Sequence, residues 1–382
     1  MIRTIIALMT MDVSTDHADT QVATAIGAGI IGGGFMGRVH VHAARVNAAR
    51  LAEIAASTPE RARAYRDVFG IDAAADSAEA LIASPDVEIV HICTPNATHS
   101  SLAAAALAVG KHVICEKPLA VTTAAAESLT AMAAESGFVA AVPFVYRYHP
   151  MVREARARVA RGDLGILFSI DAGYLQDWML LPSDNDWRAT SASGGASRAF
   201  ADIGSHLCDL LEFIAGERIV RLSARTRRVF DERAGRAVEN EDIVAILVET
   251  ESGALGTLLI SQMAAGRRNA LTVELHGSRE SMRFDQENPE MLWIGGRTES
   301  RVVLRDPATA TPDAARLQLV PAGHTMGYQD AFDNFVADVY AAIRGEFRDG
   351  MPVFADGLRA ARLTEAVLKS AKSGSWTETG EQ

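Results

Sequence analysis

The sequence GAGIIGGGFMG, residues 27–37, contains the pattern G-x-G-x-x-G in two registers. In the second register, Gly32, Gly34 and Gly37 follow an apolar run and open onto a segment that can start a helix. This context of strand, tight turn and helix is the one that a dinucleotide fingerprint requires. Gly32 would form the turn, Gly34 would let a pyrophosphate approach the backbone, and Gly37 would let the helix pack on the strand. The stretch predicts phosphate binding at a helix N-terminus; a glycine-rich turn without a ligand is the alternative.

Strands and helices alternate outward from this turn, from about residue 25 to residue 145. The predicted strands that follow it are residues 51–56, 87–93, 112–115 and 139–142, with helices starting at Pro59, Ser100 and Thr123. This alternation predicts βαβ units and a parallel sheet, in which ligands bind beyond the carboxyl ends of the strands. Two polar segments, residues 94–96 and 116–118, follow such strands and therefore lie at the predicted ligand edge.

The pattern changes after residue 150. One helix and a strand at residues 166–174 are followed by a helix over 202–214 and then by consecutive strands with short turns, at residues 220–226, 243–249, 254–262, 271–276 and 282–285. Two amphipathic helices, 331–343 and 358–371, end the chain. Consecutive strands predict a mostly antiparallel sheet with helices on one face. The other face would expose apolar surface, so we expect a homodimer or homotetramer formed through the open sheet.

The predicted fold is thus α/β with two domains. Residues 1–24 form an N-terminal extension, residues 25–147 a Rossmann domain with a parallel sheet, and residues 148–382 an α+β domain for substrate binding and oligomerisation. A length of 382 residues agrees with two domains.

Composition excludes several classes of protein. The net charge of −11 argues against nucleic acid or an anionic membrane as a partner. Apolar runs stay below membrane-spanning length, and the three cysteines have no metal-ligand spacing, so we expect neither a membrane span nor a metal. The N-terminus lacks the pattern of a signal peptide, which predicts a cytoplasmic protein.

Two groups of residues could carry chemistry. Lys117 follows a strand at the ligand edge, where it could hydrogen-bond an alkoxide or exchange a proton. Asp202 and His206 are four residues apart at a helix start and so share one face. A nearby carboxylate would raise the pKa of the histidine and orient its ring. The alternatives are a surface lysine, and an N-cap aspartate beside a partly buried histidine.

Aromatic and amide side chains occur together between these groups. Gln176, Trp178 and Trp187 suit a sugar, because its apolar face stacks on rings and its hydroxyls take polar partners. Ordinary core tryptophans are the alternative.

These motifs together resemble the Gfo/Idh/MocA oxidoreductases. The resemblance rests on the glycine-rich turn, Thr94-Pro95-Asn96 with His99, Glu116-Lys117-Pro118, Tyr146-Arg147, and Asp202 with His206. Within the family, residues 174–178, 274–278 and 354–357 are most similar to the branch of levoglucosan dehydrogenase and related sugar dehydrogenases.

The resemblance implies reversible, NAD- or NADP-dependent oxidation of a hydroxyl of a sugar, anhydrosugar, glycoside or cyclitol. A cofactor- or sugar-sensing regulator on the same fold is the alternative. The implied catalytic set is Lys117, Asp202 and His206. The implied substrate site adds Tyr146, Gln176, Trp178 and Trp187. The implied cofactor site consists of Gly32, Gly34, Phe35, Met36, Gly37, Ser57, Thr58, Arg61, Thr94, Pro95, Asn96, His99, Glu116, Lys117 and Arg147.

One departure from the family concerns cofactor choice. Ala56 stands where an acidic residue usually ends the second strand, so no carboxylate is supplied there to bind the ribose hydroxyls of NAD or to repel the phosphate of NADP. Ser57, Thr58 and Arg61 offer hydroxyls and a cation to a phosphate. We therefore expect a preference for NADP.

Overall fold

A computed structural model describes residues 25–380, so the predicted extension at residues 1–24 lies outside the described residues. The described chain contains two large sheets, one of six strands and one of nine. No helix within residues 25–380 is both long enough and apolar enough to cross a membrane.

The first sheet is parallel throughout, with the strand order β3-β2-β1-β4-β5-β6. Its strands are β1 (Gly27–Ile31), β2 (Arg50–Ala55), β3 (Ala73–Ala74), β4 (Ile89–Ile92), β5 (His112–Cys115) and β6 (Ala140–Ala141). The intervening helices are α1 (Phe35–Val46), α2 (Pro59–Phe69), α3 (Ala78–Ala83), α4 (His99–Ala108) and α5 (Thr123–Ser136). The strands β1 and β4 are buried along their whole length, as expected when helices cover both faces of a sheet.

The second sheet has nine strands in the order β16-β15-β14-β13-β7-β12-β11-β8-β17, and only β7 and β12 pair in parallel. Its strands are β7 (Leu167–Leu175), β8 (Ile219–Arg227), β11 (Ile243–Thr250), β12 (Leu255–Ser261), β13 (Ala270–Gly277), β14 (Glu280–Asp285), β15 (Met291–Gly296), β16 (Ser300–Leu304) and β17 (Thr377–Glu378). A small hairpin is formed by β9 (Glu232–Arg233) and β10 (Arg236–Ala237). The predicted α/β class and the mostly antiparallel second sheet are therefore confirmed.

Helices cover the inner face of the second sheet and also connect it to the first. They are α6 (Pro150–Ala160), α7 (Ser191–Gly194), α8 (Ser205–Ala215), α9 (Pro312–Arg316), α10 (Tyr328–Ile343) and α11 (Phe354–Ser373). The C-terminal helix α10 returns to the first sheet and packs on α1, sharing one buried apolar cluster with β1 and β4. Helix α11 packs on both α5 and β8, and so holds the two sheets together.

Two of the differences from the sequence prediction concern the second sheet and the site. The strands β15 and β16 were not predicted, because they carry polar and glycine residues that weaken the alternating pattern. Asp202, near which a helix was expected to begin, lies in a π-helical turn over Phe200–Gly204, and regular α-helix begins only at Ser205. Such turns occur often at functional sites.

Candidate active site

One cleft of about 1200 Å³ runs between the glycine-rich turn and the inner face of the second sheet. Most of the predicted site residues line it: Gly32, Gly34, Phe35, Met36, Ser57, Arg61, Thr94, Pro95, Asn96, His99, Glu116, Lys117, Tyr146, Gln176, Trp187, Asp202 and His206. Gly37, Thr58, Arg147 and Trp178 are not among the lining residues.

The glycine-rich turn has the shape that a pyrophosphate needs. Gly32 has φ +105°, and a Cβ there would lie 2.5 Å from the carbonyl oxygen of Cys93. A Cβ on Gly37 would lie 2.1 Å from the carbonyl oxygen of Gly32, which explains the close contact of helix and strand. Gly34, by contrast, faces open space and caps α1 without a side chain. The second of the two glycine registers therefore fits a dinucleotide, with free N–H groups at the start of α1.

A second group of side chains surrounds the end of β2. Ala56, Ser57 and Arg61 line the cleft, and the Arg61 guanidinium donates to Ser57 Oγ (3.2 Å) and to the hydroxyl of Tyr65 (3.2 Å). Thr58 is used differently, because its hydroxyl accepts the N–H of Arg61 and caps α2. The helix start predicted at Pro59 is thus confirmed, and no cofactor contact is proposed for Thr58.

The polar ends of β4 and β5 are tied together by His99. Its two ring nitrogens lie 2.7 Å from the carbonyl oxygen of Pro118 and 2.8 Å from that of Thr94. Burial lowers the pKa of His99, although both of these hydrogen bonds act in the opposite direction. Asn96 is buried and donates to the carbonyl oxygen of Gly194. His99 and Asn96 therefore hold the loops of the cleft in place. The Lys117–Pro118 peptide bond, which follows β5, is cis.

Lys117 and Asp202 form an ion pair across the two sheets. Lys117 Nζ lies 2.7 Å from Asp202 Oδ1 and 2.8 Å from the backbone oxygen of the same residue. Gln262 donates to Asp202 Oδ2 at 2.9 Å, and Arg188 Nε lies 3.5 Å from Oδ1. Burial alone would raise the pKa of Asp202, but the positive charges of Lys117 and Arg188 outweigh it and lower the pKa to about 2. Asp202 is therefore ionised, and both of its carboxylate oxygens accept hydrogen bonds.

His206 lies one helical turn away, packed against aromatic rings. Its ring makes edge contacts with Phe144 (centroids 5.5 Å apart) and Tyr146 (5.1 Å). Within residues 25–380 its buried Nδ1 has no hydrogen-bond partner. Burial and the charge of Lys117 lower the pKa of His206 well below its usual value, and the opposite effect of Asp202 is smaller. The expectation that the carboxylate would raise this pKa is corrected, because desolvation dominates, and His206 is neutral at pH 7.

Tyrosine and amide groups form a connected network on the substrate side of the cleft. The hydroxyls of Tyr146 and Tyr174 are 2.6 Å apart, and both bond to the amide of Asn269. Gln176 also donates to Asn269 Oδ1 (2.9 Å), and its own oxygen accepts the indole N–H of Trp178 (2.7 Å). Trp178 therefore supports Gln176 from outside the cleft, whereas Trp187 lines it.

Arg147 lies elsewhere. It is buried and pairs with both Asp209 and Asp356, with its guanidinium 5.0 Å from the centre of the Phe213 ring. These carboxylates raise the pKa of Arg147 against the effect of burial, so its charge is satisfied inside the second domain. We do not propose a cofactor contact for it.

Several cleft residues were missed by sequence reasoning. The residues Tyr65, Glu79, Arg188, Asn269 and Tyr328 line the cleft but belong to no motif. Arg188 was the easiest to find, since it follows Trp187 directly. Asn269 and Tyr328 come from a strand start and a helix start that only the tertiary fold brings to the cleft.

A place for a pyrophosphate and a lysine–aspartate–histidine group in the same cleft are the features of a dinucleotide-dependent oxidoreductase. Comparison with known proteins identifies the particular class. Residues 26–144 match the oxidoreductase family with an NAD-binding Rossmann fold, and residues 152–283 match the GFO/IDH/MocA C-terminal domain. The chain belongs to the Gfo/Idh/MocA family, as its motifs predicted.

Relatives with solved structures or known activities cover nearly the whole chain. Levoglucosan dehydrogenase of Pseudarthrobacter phenanthrenivorans is 31% identical over 85% of this chain and 88% of that protein. A levoglucosan dehydrogenase solved with NADH and levoglucosan superposes with a TM-score of 0.88 at 30% identity, covering 94% of this chain and 100% of that chain. An inositol dehydrogenase homolog from Azotobacter vinelandii, solved with NADH and myo-inositol, has a TM-score of 0.85 at 28% identity, covering 93% and 98%. This protein is accordingly an NAD(P)-dependent oxidoreductase that acts on CH–OH groups.

Proposed function

We propose that this protein reversibly oxidises one ring hydroxyl of a sugar, anhydrosugar, glycoside or cyclitol, with Lys117, Asp202 and His206 as its catalytic set. The observation that carries the proposal is the convergence of an ion-paired lysine and a buried neutral histidine in the cleft that begins at the glycine-rich turn. The relatives that act on levoglucosan and inositol support the substrate class.

The residues divide the proton chemistry between them. His206 is neutral and can take the proton of the substrate hydroxyl. Lys117 has three N–H donors and directs two hydrogen bonds at Asp202, which leaves one for the reacting oxygen as negative charge develops on it. Asp202 serves as the anchor of Lys117, because its two carboxylate oxygens are taken by Lys117 and Gln262. A nicotinamide held in this cleft would supply the hydride acceptor that the protein's own side chains lack.

The substrate side suits a flat, hydroxylated ring. Trp187 offers a ring face, and its neighbour Arg188 stacks on it with 4.4 Å between guanidinium carbon and ring centre. Tyr146, Gln176 and Asn269 bring hydroxyl and amide groups that are already held by one another. Such pre-organised polar groups favour substrates whose hydroxyls replace water at these positions.

For the cofactor, we propose a preference for NADP. Support comes from the position of Ala56, which lines the cleft without a carboxylate, and from Ser57 and Arg61 beside it. Several relatives were solved with NADH or NAD⁺, so kcat/KM for both cofactors on one substrate is the measurement that decides. A tenfold or larger preference for NAD would contradict this part of the proposal.

The experiment that tests the function is a substrate screen. Purified protein is offered sugars, anhydrosugars, glycosides and inositols with NAD⁺ and with NADP⁺, and nicotinamide absorbance is followed. We expect reduction of cofactor with at least one cyclic polyol. Dinucleotide binding without turnover on any of them would favour the sensing regulator instead, and turnover confined to non-carbohydrate alcohols would contradict the substrate class.

The open face of the second sheet supports a further proposal, assembly into a homodimer or homotetramer. Leu247 and Leu259 on β11 and β12 point outward and are about half exposed. Light scattering should report a dimer or tetramer, and Leu247→Asp should shift it towards monomer. A monomer in the unmodified protein would contradict the proposal. The cytoplasmic location stays a prediction.

A further inference from the structure

Four buried side chains form a single hydrogen-bonded line that ends at the cleft. Tyr340 Oη lies 3.0 Å from His91 Nε2, His91 Nδ1 lies 2.9 Å from His40 Nδ1, and His40 Nε2 lies 3.0 Å from Glu116 Oε1. Tyr340, His91 and His40 are at most 1% exposed, and Glu116 is 6% exposed. They come from α10, β4, α1 and the end of β5, so the line runs between the parallel sheet and the two helices that cover one of its faces. The proposed chemistry does not use Tyr340, His91 or His40.

The line can be satisfied in only one direction. When both histidines are neutral, one Nδ1 carries a proton and donates it to the other Nδ1, which accepts. If Tyr340 donates to His91, then His91 donates to His40, and His40 donates through Nε2–H to the Glu116 carboxylate. The second carboxylate oxygen of Glu116 accepts the backbone N–H of Lys117 at 3.1 Å. Every donor then has an acceptor, and Glu116 is ionised.

The reverse direction leaves a buried hydrogen unpaired. It requires a protonated Glu116 that donates to His40, with each bond reversed as far as Tyr340. The hydroxyl hydrogen of Tyr340 would then need another acceptor, but within residues 25–380 His91 is its only hydrogen-bond partner. The surrounding cluster is apolar, and an unpaired buried hydroxyl disfavours this arrangement roughly tenfold. Burial also raises the pKa of Tyr340, which keeps it a donor, and lowers that of His91.

The charge of Glu116 is also the unbalanced one in this part of the cleft. Lys117 is paired with Asp202, and Arg188 is paired with Asp186 at 2.9 Å. Among the described residues, no lysine or arginine lies within ion-pair distance of Glu116, whose only such partner is His40. A lone carboxylate beside Lys117 attracts a positively charged oxidised nicotinamide ring and has no such effect on the neutral reduced ring.

We propose that Tyr340, His91 and His40 act as positioning residues, forming a one-way relay that keeps Glu116 ionised and so favours the oxidised over the reduced cofactor. The inference rests on the proposed function in one respect, namely that the nicotinamide ring lies at the Glu116–Lys117 end of the cleft. The relay itself does not depend on it.

Histidine-selective ¹⁵N labelling tests the relay in cofactor-free protein at pH 7. Long-range ¹H–¹⁵N spectra report which ring nitrogen carries the proton. We expect His40 protonated at Nε2 only and His91 at Nδ1 only. Tyr340→Phe should leave His91 in a mixture of tautomers, whereas Tyr148→Phe, at another buried tyrosine of the same core, should leave both histidines unchanged. A proton on Nδ1 of His40, or a doubly protonated ring, overturns the relay.

Binding measurements test the consequence. The ratio of the dissociation constants of the reduced and oxidised forms of the dinucleotide is measured by titration calorimetry for the unmodified protein, Glu116→Gln and Glu79→Gln. Glu116→Gln should lower the ratio on the order of tenfold, mainly by weakening the oxidised form. Glu79, a cleft carboxylate with no contact to the relay, serves as the control and should leave it unchanged. An unchanged ratio in Glu116→Gln overturns the inference. If the unmodified protein bound neither form, the proposed cofactor site would be wrong. The histidine tautomers would still show whether the relay exists.

Discussion

Replacing Lys117 with methionine should remove both of its proposed tasks, holding Asp202 and steadying the reacting oxygen. Methionine keeps the length of the side chain but removes the charge and the three donors. Asp202 would keep Gln262 and Arg188 as neighbours, while burial would continue to disfavour its ionised form. We expect stability and turnover both to fall, by amounts that the geometry sets separately.

The stability term follows from the pKa of Asp202. It lies at about 2 in the folded protein against a usual 3.8, and the difference corresponds to about 2 kcal/mol. Because this pKa is depressed, the contribution is fully present above pH 4 and is lost as the pH falls through about 2. The value already includes the opposing effect of burial, so removing Lys117 should cost about 2–4 kcal/mol at pH 7. Turnover should fall by two to four powers of ten, about the worth of a positioned donor and proton transfer.

A double-mutant cycle with Asp202→Asn measures the pair directly. Urea unfolding at pH 7 should give a coupling of about 2 kcal/mol between Lys117→Met and Asp202→Asn, and cofactor affinity should stay within a few-fold in the single variants. A coupling below about 0.5 kcal/mol would mean that Arg188 and Gln262 hold Asp202 without the lysine. Turnover within a few-fold of the unmodified enzyme would remove Lys117 from the mechanism.

Three further predictions concern the other parts of the cleft. His206→Asn should lower kcat for oxidation at least a hundredfold and abolish the acidic limb of the pH profile of kcat. In the unmodified enzyme that limb should lie below pH 6.5, because burial and Lys117 lower the pKa of His206. A limb near pH 8 would point to another base. Trp187→Ala should raise KM for the sugar about tenfold, and Trp178→Ala should raise it less, because only Trp187 lines the cleft; the reverse order would mean that the loop binds substrate differently. Ala56→Asp should shift the ratio of kcat/KM values towards NAD by tenfold or more, and an unchanged ratio would place the ribose elsewhere.

The fold was largely predictable, because its signals are local. Alternation of apolar strands with capped helices gave the parallel sheet, and Thr58 and Pro59 marked the start of α2 to the residue. The strands β15 and β16 lie towards the edge of the second sheet, where burial imposes less alternation on the sequence, and they were not predicted. The π-helical turn at Phe200–Gly204 has no local signature at all, since it depends on what packs around it.

The lining of the cleft was predictable where a motif marks it, and the environment of a side chain was not predictable where a partner distant in sequence decides it. Arg147 looked like a cofactor ligand by its place beside Tyr146. Two carboxylates distant in sequence, Asp209 and Asp356, claim its charge instead. The predicted direction of the pKa shift of His206 was wrong for the same reason. The carboxylate of Asp202 is four residues away in the sequence, whereas the rings of Phe144 and Tyr146 that desolvate His206 are brought to it only by the fold.

The position of the proposed catalytic set explains why its environment could not be deduced locally. Lys117 follows a strand of the parallel sheet, whereas Asp202 lies in the π-helical turn and His206 in the first turn of α8, both beside the second sheet. The ion pair therefore exists only after the two sheets dock. Helix α11 fixes that docking, since it packs on α5 of the first unit and β8 of the second. A change in α11 far from the cleft should therefore reach Lys117 through the distance between the sheets. Because an ion pair loses strength steeply as its atoms separate, the geometry of the proposed catalytic set depends on how α11 packs between the two sheets.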